Sequence, residues 1–89
     1  MALSILTPEW TTMINKITIY VIKERMNDEL KIKNMKNKPF DLFNQWANDT
    51  GVAVDNSELA LWCVKYIQSI IEMPLSRLKM AADIDELQI

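Results

Sequence analysis

Apolar side chains recur at helical spacing in four stretches of the chain, and the breaks between them are polar or carry proline. The first stretch predicts a helix over about 8–31. At about 3.6 residues per turn, Trp10, Met13, Ile14, Ile17, Tyr20 and Val21 share one face, while Ile19, Ile22, Met26 and Leu30 lie on nearly the opposite one. A helix that is apolar on two sides has to be covered from two sides. The run Ile17-Thr18-Ile19-Tyr20-Val21-Ile22 is β-branched enough to suit a strand as well. The flanking Lys23-Glu24-Arg25-Met26 consists of good helix formers, and helix is the reading adopted. Thr7-Pro8-Glu9 supplies its start: a hydroxyl to cap free backbone N–H groups, a proline suited to the first turn, and a carboxylate at the positive end of the dipole.

Lys31 to Lys38 reads as a connector, and Pro39 opens a second helix over 39–50. There Phe40, Leu42, Phe43, Trp46 and Ala47 fill one half of the wheel, and Asp41, Asn44, Gln45, Asn48 and Asp49 the other. Gly51 is placed to close it. Val52-Ala53-Val54 is a short extended link. Asp55-Asn56-Ser57-Glu58 resembles a capping box, with Asp55 as the cap, ahead of a third helix over about 56–73 that Pro74 ends. Its apolar arc (Leu59, Trp62, Cys63, Tyr66, Ile70 and Met73, adjoined by Ala60, Val64, Ile67 and Ile71) exceeds half the circumference, which predicts a central helix. Ser76 is the expected cap of a last helix over about 76–87.

Composition agrees with this pattern. Eighty-nine residues make one domain. A single glycine leaves too few positions of positive φ for the tight turns of an all-β protein. The expected fold is therefore all-α, a compact bundle of about four helices, two of them long. Trp46 and Trp62 are both expected to be mostly buried. Apolar residues are 49% of so short a chain, which suggests that some apolar surface meets a partner or a second copy.

Candidate chemistry is sparse. The chain has no histidine, so imidazole bases, histidine metal ligands and Ser-His or Cys-His nucleophiles are excluded. One cysteine rules out thiolate metal clusters and an intramolecular disulfide, and one glycine rules out a phosphate-binding glycine loop. Cys63, in an apolar helical run, reads as a small buried thiol. The carboxylate groups Asp28/Glu29, Asp55/Glu58 and Asp83/Asp85/Glu86 read as solvated charge, and the last lacks the spacing of a calcium loop. No enzymatic activity, cofactor, metal or small-molecule substrate is expected. The N-terminus lacks the form of a signal peptide, and no apolar run approaches the roughly 18 residues of a membrane span. An intracellular, cytoplasmic setting is the expectation.

Charge is divided along the chain. Residues 1–38 carry seven Lys/Arg against four Asp/Glu, and residues 39–89 three against eight, for a net charge of −2. Two functions follow as expectations. The first is a non-enzymatic protein-binding module (inhibitor, adaptor or small subunit, possible as a homodimer) that uses the stripe Ile19, Ile22, Met26 and Leu30. The second is a nucleic-acid-binding regulator using the basic connector Lys31, Lys33, Lys36 and Lys38, or an imperfect helix-turn-helix at 40–70. Against the second stand Asp55 and Glu58 at the start of the supposed recognition helix, whose only cation is Lys65. The connector lysines also suit an acidic protein partner.

Overall fold

The computed structural model describes the backbone of residues 8–81 and the side chains of residues 10–80. The expected Thr7 cap, the last helix beyond Ala81 and the Asp83/Asp85/Glu86 group lie outside the described residues. Among the described residues five helices follow one another: α1 (Pro8–Asn27), α2 (Glu29–Lys33), α3 (Pro39–Thr50), α4 (Ser57–Ile71) and α5 (Leu75–Ala81). The described residues contain no strand, and the β-branched run Ile17–Ile22 lies inside α1. The fold is all-α.

The first helix is shorter than its periodicity implies. Asp28 leaves helical geometry (φ −156°, ψ 89°), and its carboxylate accepts a hydrogen bond from the Lys31 backbone N–H at 3.1 Å. A short acidic side chain competes for backbone donors in this way, which suits a cap and interrupts a helix. Asp28 thus ends α1 and caps α2, so part of the expected connector is helical. Two other helix starts also differ from expectation. Asn56, not Asp55, caps α4, its side-chain oxygen accepting from the N–H groups of Glu58 and Leu59 at 2.8 and 3.1 Å. Helix α5 starts one residue before Ser76, with the Pro74 carbonyl accepting from Arg77 and Leu78.

Gly51 closes α3 as expected, in the left-handed region at φ 72°, with the Val52 N–H bonded back to the Ala47 carbonyl at 3.1 Å. A Cβ at this position would meet nothing within 4 Å, so alanine is opposed by the backbone alone. Gly51→Ala is expected to lower stability by about 1–2 kcal/mol, with Gly51→Asn milder, as read by urea melts of the three proteins.

One core joins all five helices. Ile17, Val21 and Ile22 of α1, Ile32 of α2, Leu42 and Trp46 of α3, Cys63, Ile67 and Ile71 of α4, and Leu78 of α5 are essentially inaccessible and form one cluster. Helix α1 packs on α4 and on α5, while α3 packs on α4. Side-chain bonds fix the relative direction of α1 and α4. The Cys63 thiol donates to the Met13 thioether at 3.4 Å, Thr18 bonds Tyr66, and Arg25 reaches the carbonyls of Ile70 and Met73. Residue numbers rise together along both helices, so α1 and α4 run parallel.

Candidate protein-interaction surface

The four residues of the expected apolar stripe do not form one surface. Ile22 is fully buried in the core cluster and Ile19 is 7% exposed, whereas Met26 is 57% and Leu30 70% exposed. The cause is the packing of α1 against two helices at once, which draws both of its apolar faces inside over most of its length. Of this stripe, only the part in the last turn of α1 and the first of α2 stays outward. Lys23, three residues before Met26, is exposed on the same helix surface, and Lys31 adjoins Leu30.

All four connector lysines are exposed, but they are not equivalent. Lys33 lies 3.4 Å from the Glu29 carboxylate and Lys36 lies 3.2 Å from that of Glu72. Lys31 and Lys38 have no acidic partner among the described residues. The cluster is therefore partly neutralised within the chain, and its unpaired members frame Leu30 on one side and open α3 on the other.

Three exposed apolar residues were not apparent from the sequence: Phe40 at 55%, Leu61 at 53% and Met80 at 78%. For two of them a signal exists in the spacing. Leu61 shares its strip of α4 with Ser57, Lys65, Gln68 and Glu72, and Phe40 shares its strip with Asn44 and Asn48. Each lies at the edge of its helix's apolar arc, with a polar residue four positions on (Lys65, Asn44) although the one three positions on (Val64, Phe43) is buried. Trp62 departs from expectation in the same direction. It is only half-buried, with the Lys65 ammonium 5.7 Å from its ring centroid. Trp46 is fully buried, as expected.

The helix-turn-helix reading finds little support in this arrangement. The link between α3 and α4, residues 51–56, is longer than the usual 3–4-residue turn. Helix α4 turns Cys63, Val64, Ile67, Ile70 and Ile71 into the core, and its outer strip carries Glu58 and Glu72 against Lys65 alone.

The polar groups of the interior other than the Trp46 indole are engaged in structural bonds within and between helices. Arg25, 3% exposed, forks onto the Glu29 carboxylate at 2.8 and 3.1 Å and donates to the carbonyls of Ile70 and Met73 at 3.2 and 2.6 Å. The hydrogen bonds from Arg25, ahead of the charge beside it, hold the Glu29 carboxyl below the usual glutamate range. Gln45 donates to the Tyr20 hydroxyl, which donates to Asp49 at 2.6 Å. Burial, then the bond to Asp49, pushes the Tyr20 phenol well above its ordinary value. Thr18 spends its one proton on the Ile14 carbonyl at 2.8 Å, leaving its oxygen to accept from Tyr66. Burial raises the Cys63 thiol to about 11, so it stays protonated near neutral pH.

Among the described residues no group of three or more His, Cys, Asp or Glu side chains converges as a metal site, and no helix is long and apolar enough to cross a membrane. Compared with known protein families, curated proteins and solved structures, the chain matches none.

Proposed function

We propose that the chain is a non-enzymatic protein-binding module, an inhibitor, adaptor or small subunit, that meets its partner through Met26, Leu30 and the lysines beside them. The observation that carries this reading is the exposure of two flexible apolar side chains at the junction of α1 and α2, in a fold whose buried polar residues Thr18 and Arg25 are taken up by structural bonds. Methionine and leucine are adaptable contacts, and a lysine-rimmed apolar pair suits an apolar anchor framed by acidic groups. A lone buried thiol suits a reducing, intracellular setting.

Stability and association separate the two halves of the original stripe. Ile22→Glu puts a carboxylate into the core and is expected to abolish the cooperative melt. Met26→Glu with Leu30→Glu is expected to leave the melt within about 0.5 kcal/mol of the parent, while removing a partner captured by the immobilised parent protein from its source cell. Capture that survives both surface changes would refute the surface. Capture of nucleic acid that nuclease and salt remove would favour the basic connector instead.

A further inference from the structure

The exposed charges of this fold are sorted by sign. Between residues 11 and 38 they are six lysines (16, 23, 31, 33, 36 and 38) against Asp28 and the partly exposed Glu24 and Glu29, the last of which is bonded to Arg25 and Lys33. Between residues 39 and 80 they are five acids (41, 49, 55, 58 and 72) against Lys65 and Arg77. Each region also shows apolar side chains next to charges of its prevailing sign, with Asp28 and Glu29 close to Leu30 and Lys65 one turn from Leu61 as the exceptions. Met26 and Leu30 stand beside Lys23 and Lys31, and Leu61 stands one turn from Glu58, just beyond Asp55.

The two groups lie at opposite ends of the bundle. The end of α1 is tied to the end of α4 by Arg25 on Ile70 and Met73, whereas Asp55, Glu58 and Leu61 belong to the start of α4. At about 1.5 Å per residue, most of the length of α4 separates them. They are therefore too far apart to neutralise each other within one chain.

We propose that the acidic, apolar start of α4 on one copy of this chain is the partner of the basic, apolar α1–α2 junction on another. This deepens the binding-module reading and rests on it: the surface is the same, and the occupant is a second copy. The contact is head-to-tail. A two-fold symmetric dimer through either patch would set lysine against lysine or carboxylate against carboxylate, whereas a heterologous contact sets Lys23 and Lys31 against Asp55 and Glu58, with Met26 and Leu30 against Leu61. Such a contact leaves one patch free at each end, so assembly continues until a ring closes or a filament grows.

Sedimentation of the intact chain over a concentration series tests this. The mass is expected to rise with concentration beyond the dimer at low salt, and roughly tenfold more protein should be needed for the same association near ~0.5 M salt. Met26→Glu alone and Leu61→Glu alone are each expected to stay monomeric with unchanged melts, both positions being exposed. Mixed in equal amounts they are expected to form a one-to-one dimer and nothing larger, because one intact patch remains on each chain and the other pairing is doubly acidic. A parent chain that stays monomeric at low salt, or a dimer that neither variant disturbs, overturns the proposal. A monomer that still captures a different protein through Met26 and Leu30 would reject the second copy alone and leave the binding-module reading standing.

Discussion

Trp46→Ala is expected to lower the stability of the fold by about 3–5 kcal/mol. Trp46 is the largest fully buried side chain, and its ring lies 5.8 Å from that of Phe43, beneath α4 in the common core. Against a total stability of about 5–15 kcal/mol for a typical domain, such a loss leaves the chain near its unfolding threshold. The indole N–H has no hydrogen-bond partner among the described residues. A buried donor left unpaired costs about 1–3 kcal/mol, so Trp46→Phe removes that cost while opening a smaller cavity. Its penalty is expected to be well under half that of alanine. Chemical denaturation of the three proteins checks both values, and equal penalties for phenylalanine and alanine would show that the indole is not a strained element of the core.

Arg25→Met is expected to cost about 2–4 kcal/mol, because it takes the charged donor from the partly buried Met73 carbonyl and from the Ile70 carbonyl, which keeps only a backbone bond from the Met73 N–H at 3.3 Å. The methionine stem keeps most of the packing, so the loss reports on hydrogen bonds more than on volume. Glu29, being partly exposed, keeps access to water when its partner is removed, which holds the penalty below that of breaking a fully buried ion pair. The same contact gives a pH dependence. The folded-state pKa of Glu29 is depressed, so its contribution is complete above the ordinary glutamate range and is lost as pH falls through the depressed value. Acid melts of the parent are expected to lose this contribution, and those of Glu29→Gln to lack that part of the slope. An identical acid slope in the two proteins would remove Glu29 from the account.

Element type was legible because each helix carries its own periodic apolar face: Leu42, Phe43 and Trp46 in α3, and Cys63, Val64, Ile67, Ile70 and Ile71 in α4, lie where spacing places them. Gly51 was legible for a local reason, as the chain's single glycine just past a periodic segment. The ends were less so. Asp28, Asn56 and Pro74 were each adjacent to, or inside, a segment whose spacing allowed another start, and which side chain captures the free N–H groups depends on backbone geometry. The candidate surface was half legible. Periodicity showed that α1 has two apolar sides but not that α5 would join α4 in covering them, so Ile19 and Ile22 went inside while Met26 and Leu30 stayed out. Of the partners of Arg25 only Glu29, four positions on, is local; the carbonyls that it holds are 45 and 48 positions away and gave no sign in the sequence.

The parallel course of α1 and α4 bears on the order in which the chain acquires structure. Met13 and Cys63 are 50 positions apart, and Thr18 and Tyr66 are 48 apart. Two helices that run the same way cannot be closed by a tight turn, so α3 and the segments around it form the return path. Closing a loop of that length costs entropy before any of its contacts repay it, which places this bundle among the slower helical folds for its size. During synthesis α1 therefore emerges well before its principal partner. Until α4 follows, Ile17, Val21 and Ile22 have no surface of α4 to pack against, and the interval between the two helices is when the chain is most open to unintended apolar contacts.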